Sequence, residues 1–155
     1  RLVTKERSDE LLSDLGPEPL DKSFTFDEFL RIISKRRGAI KKALMDQKVI
    51  AGIGNIYADE ILWLAKVNPF RTIDTLSQKE LKEIYNAIAK VLVRAIKLRG
   101  TSTSDFRDPD GNKGAYGDQR KVYRMTGQPC PRDGHSIERK TLGGRGTHFC
   151  PVCQL

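Results

Sequence analysis

Three cysteines and two histidines are the side chains in this sequence best suited to hold a metal, and all five fall within its last 26 residues. Cys150-Pro151-Val152-Cys153 is a CxxC knuckle, a spacing used both by metal sites and by redox dithiols. Cys130-Pro131 stands upstream of it, with nineteen residues between Cys130 and Cys150, and a hairpin between two knuckles is the layout of a zinc ribbon. A ribbon with four cysteines would carry its second ligand at position 133, where this chain has Asp133. A carboxylate oxygen binds zinc, and so does the imidazole of His135, the commoner ligand type. Asp133 and His135 therefore stand as alternatives for one ligand beside Cys130, Cys150 and Cys153, and one Zn2+ is expected. The competing reading, a metal-free hairpin held by packing, is disfavoured because so few apolar residues give it little other means of stability. His148, next to Phe149, is expected on the surface or facing a phosphate rather than on the metal. An odd number of clustered cysteines argues against a disulfide scaffold and for a reduced, cytoplasmic protein.

The second chemical signal is charge. The 155 residues carry 28 Lys and Arg against 20 Asp and Glu, a net charge of +8, and the excess is concentrated. Residues 31–48 hold seven basic side chains (Arg31, Lys35, Arg36, Arg37, Lys41, Lys42, Lys48) against Asp46 alone; residues 120–145 hold seven more against Asp133 and Glu138. The rest of the chain is net acidic. Two basic islands on an acidic remainder fit the footprint of a polyanion better than a uniformly solvated surface does.

The elements that must position these groups are mainly helical. Thr25-Phe26-Asp27-Glu28 reads as a capping box opening a helix to about Arg36, and a short helix follows from Ala39 to about Asp46. Val49 to Gly54 is too short and glycine-rich for another helix, and Asn55 is placed to cap the next, through Ile56, Ile61, Leu62 and Ala65. Ser77-Gln78-Lys79-Glu80 is a second capping box. Leu81, Ile84, Ile88, Val91, Leu92 and Ala95 keep one buried face behind it, and Gly100 supplies the stop. Residues 101–118 read as a polar, glycine-rich loop with a turn at Asp108-Pro109-Asp110-Gly111. The end of the chain reads as a hairpin, Ile137–Leu142 and Thr147–Phe149 about a Gly143-Gly144 turn. The longest apolar run, six residues from Val49 with its glycines counted, is far short of the roughly 18 that a membrane helix needs. The opening RLVTKERSDE has no secretory pattern, and a start on Arg1 rather than Met leads us to expect a piece of a longer protein.

Two long motifs carry a resemblance. Residues 47–60, QKVIAGIGNIYADE, resemble the helix–two-turns–helix segment of the formamidopyrimidine-DNA glycosylase/endonuclease VIII family, and residues 143–154, GGRGTHFCPVCQ, resemble its C-terminal zinc finger. The order is right, the similarity covers nearly the whole chain, and the purine-lesion members are the closer match. The resemblance implies the second half of a two-half enzyme: residues 1–23 an arm from a missing catalytic domain, 24–100 a helical DNA-binding domain, 101–121 a lesion-facing loop and 122–155 a zinc-finger hairpin. It implies, for the full-length parent, a bifunctional DNA glycosylase/AP lyase of base-excision repair acting on oxidised bases, with an N-terminal proline as nucleophile. This chain has no such proline and is expected to bind DNA without excising.

Residue by residue, the resemblance puts Gly54, Asn55 and Ile56 at the phosphate backbone near the lesion and matches Arg37 to a DNA-contacting position. It matches Arg145 to the finger arginine that inserts beside the damaged nucleotide and assists the late elimination step. Lys41, in the first basic island, is assigned to DNA with them. The loop departs from the family pattern at residues 117–120 and 123–124, which leaves lesion preference open. The expected partner is double-stranded DNA with an oxidised base or abasic site, bound by a monomer that is nucleoid-associated when on DNA. The alternatives are a stand-alone zinc-containing module for DNA or RNA, and a zinc-stabilised protein-interaction domain.

Overall fold

Each element ends where its residues require. The computed structural model describes Lys5, residues 14–98, Gly114 and residues 116–155; the expected Gly100 stop, the Asp108–Gly111 turn and most of the 1–23 arm and the 101–121 loop lie outside these. Helix α1, Phe26–Ile33, begins at Thr25, whose hydroxyl accepts the Glu28 amide at 3.2 Å. The box stays half closed, because the Glu28 carboxylate pairs with Arg31 instead of reaching back. The helix stops short of Arg36, where the amides of Lys35 and Arg36 tighten onto carbonyls three residues back. Helix α2 is Ile40–Met45 and α3 is Asn55–Leu64. Between them the Gln47 side chain splints the turn, donating to the Ile53 carbonyl at 2.9 Å and accepting from the Gly52 amide at 2.8 Å. Gly52 sits at φ +88°, a conformation glycine alone adopts cheaply.

Helix α3 is capped by Gly54, not Asn55. Asn55 is its first helical residue, and its side chain makes no cap bond because it is held elsewhere. Helix α4, Gln78–Lys97, has the complete capping box: Ser77 Oγ accepts the Glu80 amide and Glu80 accepts the Ser77 amide at 2.8 Å. Ile84, Ile88, Val91, Leu92 and Ala95 are buried as the spacing predicts, with Leu81 packed at the margin. They meet Phe29, Ile33, Leu44, Ile50, Ile53, Ile61 and Leu62 in one core. Part of the expected arm belongs to this unit: the Gly16 amide donates to the Gln47 carbonyl at 2.7 Å and Ala51 to Pro17 at 3.1 Å. A Cβ on Gly16 would stand 2.5 Å from the Val49 backbone, so only glycine allows that approach. Among the described residues no helix is long and apolar enough to cross a membrane.

The remaining elements are strands β1, Glu138–Leu142, and β2, Arg145–Phe149, antiparallel with Leu142 opposite Arg145. Gly143 and Gly144 both have positive φ, which the tight two-residue turn demands. A second, small core of Trp63, Val122, Cys130, Ile137 and Cys150 lies beneath the hairpin. The molecule is thus mainly helical with a small hairpin at its end, as expected. Ser77→Ala is expected to remove about 1 kcal/mol and lower the thermal midpoint by about 2–4 °C. Glu28→Gln, at the box that never closes, should move it by less; equal shifts in the two melts would contradict the difference between the caps.

A zinc-finger hairpin pinned to a helix–two-turns–helix domain

Helix α3 is apolar on most of its surface, yet Asp59 and Glu60 sit side by side in it, both buried. Buried carboxylates need partners, and they find them in the finger, in the segment leading into it and in Lys41 of helix α2. Glu60 accepts three backbone amides, Lys121 at 2.8 Å, Val122 at 3.0 Å and Tyr123 at 2.9 Å. Burial raises its pKa, and those three donors oppose the rise. Asp59 pairs with the Lys41 ammonium through one oxygen at 2.8 Å, and its other oxygen accepts the His148 backbone amide at 3.0 Å and lies 3.1 Å from the ring Nδ1. His148, expected at the surface, is therefore buried on Asp59.

Lys41 differs likewise from its expected place among the cations facing DNA. It is 1% exposed. Besides Asp59 it donates to the Thr147 hydroxyl at 2.7 Å and the Gly146 carbonyl at 3.3 Å. Burial lowers its pKa, and Asp59 opposes that. Asn55 donates to the same Gly146 carbonyl at 3.1 Å, while its Oδ1 is buried without a protein donor among the described residues. Arg37 and Arg145 are exposed, Gly54 is exposed with open space where a Cβ would stand, and Ile56 is half-buried. Arg145 and Lys42 line one shallow hollow with Met45, Leu142 and Gly143. The structure thus brings Arg145, Asn55 and the start of α3 together around Gly146.

Sequence reasoning missed three residues on this side. Tyr123 packs edge-on against His148, with the Arg120 and Arg124 guanidinium groups 6.0 and 5.6 Å from its ring centre. Arg124 holds φ +57°, unusual for a side chain of its size. The available signals were the two acids in an apolar helix and the Arg-Lys-Val-Tyr-Arg run.

At the other end of α3, Cys130, Asp133, Cys150 and Cys153 offer ligand atoms that all lie within 4.8 Å of one another. His135 is outside the group: its ring is exposed and its Nδ1 stands 3.5 Å from Asp133. Gly134, at φ +78°, turns the chain between the two candidates, so that Asp133 points in and His135 out. The donor set, three soft sulfurs and a carboxylate oxygen, suits one zinc ion. The surroundings suit it as well. The Trp63 indole N–H donates to Cys130 Sγ at 3.3 Å, and Arg132 donates to Cys153 Sγ at 3.1 Å while its guanidinium stacks 4.1 Å from the Trp63 ring centre. Such donors favour thiolates. Bound there, zinc would tie the two knuckles together. The second knuckle is also seated on the helices: Gln154 accepts the Cys150 amide at 2.7 Å and donates to the Val67 carbonyl at 3.0 Å.

The fold and the cluster together define a helix–two-turns–helix domain carrying a zinc-finger hairpin. Residues 15–107 match the formamidopyrimidine-DNA glycosylase H2TH domain, and residues 127–155 the zinc finger found in FPG and IleRS. The chain belongs to the formamidopyrimidine-DNA glycosylase family. It is 44% identical over 146 residues to the formamidopyrimidine-DNA glycosylase of Thermus thermophilus, covering 93% of this chain and 55% of the relative. The Prochlorococcus marinus enzyme is 47% identical, with 92% and 49% covered. Superposed on the crystal structure of MutM (Fpg) from Thermus thermophilus the TM-score is 0.89 at 43% identity, over 97% of this chain and 57% of the other. For the complex of Lactococcus lactis Fpg with an abasic-site DNA it is 0.88 at 36% identity, over 98% and 56%. The chain spans about half the length of the relatives it matches, and corresponds to their C-terminal portion.

Asp133→Ala is expected to drop retained zinc well below one per chain after dialysis, and His135→Ala to keep it; the reverse result would transfer the ligand to His135. Burial pushes the Cys153 thiol up to about 12 and raises that of Cys150. A metal must displace those protons, so zinc affinity should fall as pH falls, in a competition titration with a chelator. A flat profile between pH 8 and 6 would contradict that.

Proposed function

We propose that this chain is the duplex-gripping half of a bifunctional DNA glycosylase/AP lyase that removes oxidised bases, purines above all, in base-excision repair. The observation that carries the reading is the meeting of Arg145 with the N-terminus of α3 across the Gly146 carbonyl. Helix α3 has no acidic residue in its first turn, and its first amides have no carbonyl to bond, which makes that end a phosphate seat. Arg145 is exposed without an acid partner among the described residues, and its planar guanidinium forks onto a second phosphate. Two grips on one strand hold the nucleotide between them out of the stack.

Gly54, Ile56 and the free second proton of Asn55 Nδ2 serve the first phosphate. Arg145 serves the second, and in the parent assists the late elimination. Arg37, Lys42, Arg120 and Arg124 supply the surrounding field. Lys41 acts from inside. Asp133 completes the zinc site, whose metal is structural. The relatives solved with abasic-site and lesion-bearing DNA support this reading. The partner is double-stranded DNA carrying an oxidised base or an abasic site, met in the cytoplasm at the nucleoid.

Fluorescence anisotropy of the zinc-loaded chain with a duplex carrying one abasic-site analogue tests it. Wild type should bind this duplex more tightly than the undamaged one, with affinity falling steeply as salt rises. Arg145→Ala should weaken binding by about 1–3 kcal/mol and flatten the salt dependence by about one charge. Unchanged affinity in Arg145→Ala would remove the fingertip from the interface.

A further inference from the structure

Arg145 is the residue on which the proposed grip depends. The hairpin ladder holds its backbone, opposite Leu142 at the Gly143-Gly144 turn, but leaves its long side chain pointing into open space at the tip. Its guanidinium has no partner among the described residues, so nothing at the surface aims it. What constrains it lies behind it, in the protein. Gly146, the next residue, has its carbonyl held by Lys41 Nζ at 3.3 Å and by Asn55 Nδ2 at 3.1 Å. Thr147, one further on, receives Lys41 Nζ on its hydroxyl at 2.7 Å and passes its own proton to the Arg145 carbonyl at 3.3 Å.

An ammonium has three donors and no acceptor. Two go to the Thr147 hydroxyl and the Gly146 carbonyl, and the ammonium pairs with the Asp59 carboxylate at 2.8 Å in a site that leaves Lys41 1% exposed, out of reach of a phosphate. The pairing of Lys41 with Asp59 does not by itself account for this arrangement, because a buried ion pair can often be exchanged whole for apolar side chains of similar volume. An apolar side chain, however, cannot hold a carbonyl and a hydroxyl. Both Lys41 hydrogen bonds go to the two residues immediately behind Arg145, and its ion pair is with the carboxylate that also grips His148, one residue further along the same strand.

We propose that Lys41 is a positioning residue for Arg145: through the Gly146 carbonyl and the Thr147 hydroxyl it fixes the direction in which the fingertip arginine leaves the hairpin. The inference rests on the reading of Arg145 as a DNA contact and extends it inward. Lys41 never touches the DNA; it lowers the cost of ordering Arg145 when DNA arrives.

A double-mutant cycle on the zinc-loaded chain tests this with the abasic-site duplex. Arg145→Ala should raise Kd about tenfold or more, as for a lost charged contact. Lys41→Met, of similar length, should raise Kd severalfold while zinc content and a single cooperative melt are retained. The double variant should be no worse than Arg145→Ala alone within about twofold, because coupled residues act as one. Fold-changes that multiply, or a Lys41→Met variant that binds like wild type, would overturn the positioning role while leaving Arg145 as a contact. An Arg145→Ala variant that binds normally would instead fail the underlying reading, and the positioning role with it. If Lys41→Met does not fold, Thr147→Val removes the hydroxyl relay with the Asp59 pair intact. In the cycle with Arg145→Ala, non-multiplying losses then support the positioning role, and multiplying losses overturn it.

Discussion

The structure depends on two neighbouring carboxylates in an apolar helix. Asp59 and Glu60 are each too costly to bury alone, and helix α3 offers them nothing. The finger and the segment leading into it answer both, Glu60 through three successive amides of residues 121–123 and Asp59 through His148, while Lys41 of helix α2 pairs with Asp59 from the helical side. Removing one partner from such a set leaves an uncompensated charge indoors, at about 3–5 kcal/mol. Non-directional apolar contact would permit the hairpin to slide on the helices; bonds to fixed oxygens do not. The hairpin, too small to fold alone, thereby takes a single orientation.

Helix α3 consequently works at both ends. At the first, Asn55 meets Gly146; near the last, eight residues on and about 12 Å away, Trp63 meets Cys130. The metal cluster and the arginine tip are opposite ends of one hairpin resting along one helix. Polar contacts register the tip, and the knuckles, clasped on zinc, anchor the base. Neither attachment depends on sequence neighbours: the partners are 91 and 67 positions apart.

That separation explains what is legible in the chain and what is not. Local rules hold where the physics is local. Ser77 and Glu80 close their box, the α4 stripe is buried, and Gly143-Gly144 forms the tight turn that this pair favours. Thr25 and Glu28 carry the same signature, yet Arg31 competes for the carboxylate, a pairing the capping pattern does not contain. Asn55 reads as a cap because nothing in the sequence reveals a carbonyl at position 146 waiting for its amide. Lys41 reads like its basic neighbours, since periodicity on a six-residue helix does not separate it from Lys42, which is exposed. The Asp133 and His135 alternatives differ only in which side of a left-handed Gly134 they fall, a matter of backbone direction that composition cannot carry. The metal cluster is plain from cysteine spacing, and the family likeness from two long motifs.

The one tryptophan of the chain stands at the seam of all this. Its indole nitrogen rests on a metal-ligating sulfur and its face beneath Arg132, which itself touches a second sulfur. An excited indole is quenched by sulfur at such range and shifted by a cation over its ring, so its emission is a built-in readout of the cluster. Oxidation of a thiol, loss of the ion or lifting of the knuckle from α3 would each alter the colour or lifetime of a single fluorophore, with no label attached.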